Sequence, residues 1–392
     1  MLHMMKHIFR DFLLLTLGGI ALFASCKSDS QARTEDESAY MSDYESPADH
    51  WGFMNSQGEL VIDAIYDDAG PFSEGLAAVN KNGKWGFIDR QGQMVIDPAY
   101  KSAWAFHEGF ARVQPFDSSD QFINRRGISM PADNWSAADD FSDGRARVKV
   151  GNSFGYVDTS GNLVIQPLFT RGWNFGHGTC VVEYHEKLGL INGSGEYLLK
   201  PEFDQIKKSS NGKIFLCKKS DVAIAYDDFG KELIKIPGGK MMDSSGELIS
   251  IRQGKNMYLI TSSSPTIQSK PYSNIIYLEE DLWAGKVDSG YIILDPQGNP
   301  INNKFYNQIN KFSEGFAAYS KNDTWGYLDN TGRELTGEVF GLAWDYKEGF
   351  ARAAFRDGIA FIDKNQKLAF YPPSGSLDMR DFSEGLASVK ID

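Results

Sequence analysis

The chain repeats itself, and this periodicity limits its fold more than any other property. The string WGFIDRQGQMVIDPAY from Trp85 recurs as WGFMNSQGELVIDAIY from Trp51 and FGYVDTSGNLVIQPLF from Phe154, with weaker copies from Leu188, Tyr291 and Trp325. With the Trp slot as unit start, units begin at 51, 85, 120, 154, 188, 223, 257, 291, 325 and 359. The spacing is always 34 or 35, so ten units fill residues 51–392. A unit this short cannot bury its faces alone and must stack on its neighbours.

The residues within a unit describe its local structure. Four positions after the start, Asp or Asn stands in nine of ten units: Asn55, Asp89, Asn124, Asp158, Asn192, Asp227, Asp295, Asp329 and Asp363. Three positions later Gly stands in eight, Gly58 and Gly92 among them. An Asx side chain that bonds its own backbone, followed by a residue free to take positive φ, closes a short hairpin. A second signature, F-x-(E/D)-G-x-A, runs from Phe72, Phe106, Phe141, Phe312 and Phe382 and leads into another strand. No stretch after residue 26 sustains a helical period. The expectation is all-β: ten tandem repeats of about 34 residues, each with three short strands.

These motifs resemble those of the WG-repeat family, bacterial tandem β-repeats named for a Trp-Gly pair. Trp51-Gly52, Trp85-Gly86 and Trp325-Gly326 carry the pair outright, and Phe154-Gly155 and Leu188-Gly189 keep the glycine. The units starting at 120, 223, 257, 291 and 359 lack it. The resemblance spans Trp51 to the C-terminus and implies surface or secreted interaction repeats with little defined chemistry.

The ends of the repeat array bear on its closure. The segment before Trp51 lacks the Gly-x-Ala strand that precedes other units, and the strand through Lys390 stops where an eleventh Trp-Gly would begin. Each end is missing what the other supplies, so a closed, propeller-like ring is favoured. Ten units exceed the usual four to eight blades, which leaves an open solenoid or superhelical array as the alternative.

Residues 1–25 carry Lys6 and Arg10, then an apolar run from Phe12 to Phe23. The run is shorter than the roughly 20 residues of a membrane-spanning helix and reads as the apolar part of a secretory signal. It ends Phe23-Ala24-Ser25-Cys26, which resembles the lipobox of bacterial lipoproteins and implies lipidation at Cys26; ordinary cleavage beside an incidental Cys is the alternative. Residues 26–50 then form a lipidated, polar, flexible tether. The expected address is membrane-anchored, at the outer membrane or cell surface of a Gram-negative bacterium. A net charge of −12 repels a phosphate backbone and excludes nucleic acid as a partner.

Candidate chemistry is sparse. Gly151-Asn152-Ser153-Phe154-Gly155 matches the G-x-S-x-G elbow of hydrolases but lies in a hairpin turn rather than between a strand and a helix. His177, Cys180 and His185 suggest a metal site only until Cys180 is seen to occupy the recurring Ala slot; Cys217 likewise reads as a small core residue. One Asx per turn supplies too few oxygens for calcium. No catalytic residue, metal or cofactor is expected. Trp104, Trp173 and Trp344 share one slot, nineteen residues into their units, where others have Gly70, Asp139 or Asn310. Exposed, they would stack on sugars or anchor a protein. Each stands two residues before a core aromatic, and strict strand alternation favours burial. The units from Leu188 to Gly290 have lost much of the signature, through drift or as a specialised face. The favoured function is a non-enzymatic envelope lipoprotein that binds protein, ahead of a carbohydrate-binding module and, last, a hydrolase.

Overall fold

A computed structural model describes residues 50–131, 135–209, 212–337 and 339–392, so the signal segment, Cys26 and nearly all of the tether lie outside the described residues. The chain divides into Met1–Ser46 and Pro47–Asp392, and all ten repeats belong to the second unit. Its described residues form ten antiparallel sheets and no helix. One sheet shows the plan: strands Asp68–Ser73, Leu76–Lys81, Lys84–Asp89 and Met94–Tyr100 pair in chain order.

The Trp-Gly strand is therefore the third strand of this sheet, and each sheet combines strands from two successive repeats, two from each where it has four. Three strands per unit were expected from sequence; six of the ten sheets have four and the rest have three. The strand absent from the sequence reading is the first, exemplified by Asp68–Ser73. A bulge between Ala69 and Phe72 breaks the alternation by which it would be recognised.

The ring closes. Strands Ser376–Met379 and Ala387–Ile391 from the C-terminus join His50–Met54 and Leu60–Tyr66 in one four-stranded sheet, with Trp51 opposite Lys390 and Phe53 opposite Ser388. The expected closed ring is thus a ten-bladed β-propeller, and the open array is set aside. Contacts across the seam copy those elsewhere: Ser383 donates its hydroxyl to the Phe72 carbonyl at 2.7 Å, as Ser73 does to Phe106.

Ring pairs hold successive blades together. An aromatic on the third strand of one blade meets the core aromatic at the end of the first strand of the next, or just beyond it. Phe53–Phe72, Phe87–Phe106, Phe122–Phe141 and Tyr156–Phe175 have centroids 4.8 to 5.0 Å apart. Each pair contributes about 0.5–1.5 kcal/mol beyond the area it buries. All nine Asx residues behave as turn chemistry: the side-chain oxygen accepts from the backbone N–H groups two and four residues on, as Asp89 does from Gln91 and Gln93. Gly92 closes that turn at φ 77°.

The glycine of the Trp-Gly pair has a separate cause. Trp85 faces Tyr100 while Phe87 faces Ile96, so two steps along one strand span four along its partner. The extra residues fold back over Gly86, where a β-carbon would lie 2.5 Å from the Ile96 carbonyl oxygen. The same distance recurs at Gly52 and Gly155, and Gly326 would stand 2.7 Å from the oxygen of Gly337. Trp51 is buried, whereas Trp85 and Trp325 are half-buried beside the core. Pro98, Pro167 and Pro201 interrupt outer strands, where a missing N–H blunts an edge open to stray pairing.

Gly86→Ala should destabilise the ring by about 3 kcal/mol, because the obstructing atoms are backbone and cannot rotate away. Gly83→Ala, in open space at φ 74°, should cost about 1 kcal/mol. Urea midpoints of the two variants test this, and equal midpoints would refute the close-approach explanation.

Candidate functional site: the axial wall of the ring

The first strands of successive blades lie against one another, as Asp68–Ser73 does against Ser102–His107, and so face the ring axis. Their ends are joined by a carboxylate ladder built from the F-x-E-G turns. The acidic residue takes positive φ, 54° at Glu74 and 56° at Glu314, and its carboxylate accepts from the glycine N–H of the next turn. The series runs Glu74 to Gly109, Glu108 to Gly144 and Asp143 to Gly178, then Glu280 to Gly315, Glu314 to Gly349 and Glu348 to Gly385. Glu384 to Gly75, at 2.8 Å, carries it across the seam.

Between His177 and Glu280 the ladder changes character. The His177 ring lies against Gly212, Lys208 donates to the Gly176 carbonyl, and Ser245 donates to Asp281 at 2.9 Å. This arc coincides with the units in which the sequence signature is lost.

The shared tryptophan slot lies on the axial wall, and the expectation of burial is corrected. None of Trp104, Trp173 and Trp344 belongs to the core: Trp104 and Trp344 are half-buried and Trp173 is 46% exposed. A bulge is the reason. Ala103 faces Val113 and Phe106 faces Ala111, so three steps oppose two and the alternation linking Trp104 to Phe106 is broken.

What lies over each indole depends on the residue opposite. The Arg112 guanidinium sits 3.6 Å from the Trp104 ring centroid and that of Arg352 sits 5.1 Å from Trp344. Opposite Trp173 stands Val181, whose carbonyl accepts the Trp173 N–H at 3.1 Å. The backbone at Trp173 is fixed from behind, since its carbonyl accepts from the Tyr156 hydroxyl at 2.9 Å. Beside the indole opens a cleft of about 510 Å³ lined by Arg112, Asp139, Asp140, Arg147 and Asn174. Its charges are already paired: Arg112 with Asp140 at 3.1 Å and with Asp120 at 3.4 Å, and Arg147 with Asp139.

Sequence reasoning passed over the arginines. Arg112, Arg147 and Arg352 share a slot 27 residues into their units. Two of them, Arg112 and Arg352, occur in units that carry the tryptophan, and that pairing was a readable signal. They also pin blades together, as Arg352 bonds Asp381 at 2.9 Å and the Met379 carbonyl at 2.7 Å.

The remaining candidates have structural places. Ser153 opens the strand Ser153–Asp158 directly after the Gly151 turn, so no elbow between strand and helix forms there. Cys180 is buried in the Ala slot beside the Tyr156 hydroxyl, and burial pushes its thiol up to about 11; burial likewise takes Cys217 to about 12. His185 stacks edge-on against Tyr184. Among the described residues, no group of three or more His, Cys, Asp or Glu is placed to hold a metal ion.

Five segments, residues 51–85, 85–114, 154–187, 189–220 and 293–325, match the family described as WG containing repeat. In these segments the repeat unit is of the WG type. No curated protein matches the chain by sequence. Solved structures similar to it include a eukaryotic initiation factor, at 12% identity and TM-score 0.47 over 77% of this chain and 94% of that one. Another is BamB from Moraxella catarrhalis, at 10% identity and TM-score 0.31 over 87% of this chain and 96% of that one. The ring itself rests on the hydrogen-bonded seam between the chain's two ends.

One rung of the ladder, Glu314, makes stability acid-sensitive. Burial alone would raise the Glu314 carboxyl, but the N–H groups of Gly349 and Glu348 and the Lys364 ammonium outweigh it and hold its pKa below the usual 4.5. A folded-state value below the unfolded one gives stability that is present above the unfolded value and lost as pH falls through the folded one. Glu314→Gln should therefore melt below wild type at pH 7, with the gap closing below about pH 4.5. A pH-independent gap would show that the Glu314 charge contributes nothing.

Proposed function

We propose that this protein is an exported, non-enzymatic scaffold, held to a membrane by lipid on Cys26 and presenting its ring to protein partners in the cell envelope. The observation that supports it most is a recurring apolar pattern on the outer strands and on the segments that take their place in three-stranded blades. Val61, Val95 and Val164 are exposed at one repeat slot, and Ile65, Leu168, Phe305 and Val339 at another four residues on. Leu168 is 63% exposed and Val339 65%. Aliphatic side chains repeated on the outer edge of a rigid body offer several equivalent contacts, so a partner gains affinity by engaging more than one. The negative net charge disfavours nucleic acid, and turn chemistry and packing account for the titratable candidates without a catalytic or cofactor role.

Two measurements test the reading. Cys26→Ser should move the protein from the membrane to the soluble fraction and abolish fatty-acid labelling; unchanged membrane association would remove the anchor. A photo-crosslinking residue at Leu168 or Val339 should give discrete protein adducts in cells, whereas one at the polar turn residue Gln91 should not. A correctly folded, exported protein that gives no adduct from either outer position would contradict the scaffold.

A further inference from the structure

We propose that the cleft beside Trp173 is a binding site for a neutral carbohydrate, with Trp173 as its one stacking platform. This extends the function beyond protein binding and stands on different residues. In two of the three blades with an axial tryptophan, an arginine directly across the sheet covers the ring. In the blade of Trp173 the arginine slot holds Val181, so the indole has no cation over it from that position and is 46% exposed.

A flat ring accessible on one face is suited to the C–H face of a pyranose, which is apolar, while the sugar hydroxyls need planar groups with fixed donors and acceptors. The cleft supplies these in the guanidinium groups of Arg112 and Arg147, the carboxylates of Asp139 and Asp140 and the amide of Asn174. Arg112 pairs with Asp140, Arg147 with Asp139, and the volume of about 510 Å³ fits a ligand of a few rings. With these charges matched internally, a charged ligand would have to break an existing pair, whereas a neutral polyol adds hydrogen bonds to groups already held in place. The Tyr156 hydroxyl on the Trp173 carbonyl fixes the platform before a ligand arrives, which lowers the ordering cost of binding.

The probes are neutral oligomers of α-1,4-glucose, β-1,4-glucose and β-1,4-N-acetylglucosamine, titrated into the purified ring with tryptophan fluorescence and calorimetry as readouts. At least one should bind saturably in the range up to about 10 mM. Trp173→Ala should weaken that binding at least about tenfold, and Trp344→Ala, in a distant blade, should change it by less than about twofold. Val181→Arg, which supplies the missing cover and keeps Trp173, should also weaken it about tenfold. Melting temperatures confirm that each variant folds, and Val181→Arg keeps the test informative if Trp173→Ala does not. The proposal is overturned if no oligomer binds, if binding survives both Trp173→Ala and Val181→Arg, or if Trp344→Ala reduces it as much as Trp173→Ala does. Crosslinking at Leu168 and Val339 reads the outer edge independently, so loss of either result leaves the other standing.

Discussion

The whole architecture depends on strand pairing across the repeat boundary. A blade combines strands from one repeat with strands from the next, as Leu76–Lys81 pairs with Lys84–Asp89 through a tight turn. No repeat is complete by itself, and at the chain ends the same pairing must form between residues more than 300 positions apart, His50–Met54 with Ala387–Ile391. That pairing removes the two bare strand edges an open array would expose. The aromatic pairs between blades and the carboxylate ladder then repeat across the seam with the geometry they have elsewhere.

Local chemistry was legible in the sequence because each element of it has one cause. An Asx followed by Gly three residues later forms the same turn in every unit where it occurs, since both the hydrogen bonds and the positive φ are set within five residues. The burial of Cys180 and Cys217 followed from their slots for the same reason. The first strand was not legible. Its bulge shifts alternation by one residue, and a period-2 reading carried through that shift puts Trp104, Trp173 and Trp344 on the wrong side. The Trp-Gly glycine was visible as a repeated letter, but its reason, a carbonyl folded to within 2.5 Å of where a β-carbon would stand, appears only in the register.

The axial wall shows how a repeat array acquires individuality. The segments along this wall share one backbone plan, and the residues at two slots decide what each presents. Trp104 beneath Arg112 and Trp344 beneath Arg352 are closed surfaces, whereas Trp173 opposite Val181 is open. The residue at the opposing position, arginine or valine, decides whether the indole is covered by a cation–π contact or left accessible. The arc from His177 to Glu280, where serine, lysine and histidine replace the acidic ladder, is a second departure from the plan.

Closure of the ring is the claim on which the account rests, and amide hydrogen exchange measures it directly. If the ends are latched, the amides of Gly52 and Val389, which face each other across the seam, will exchange as slowly as those of Gly86 and Val79 in an internal blade. Rapid exchange at the two seam positions, with the internal two still protected, would mean an open array and contradict the propeller.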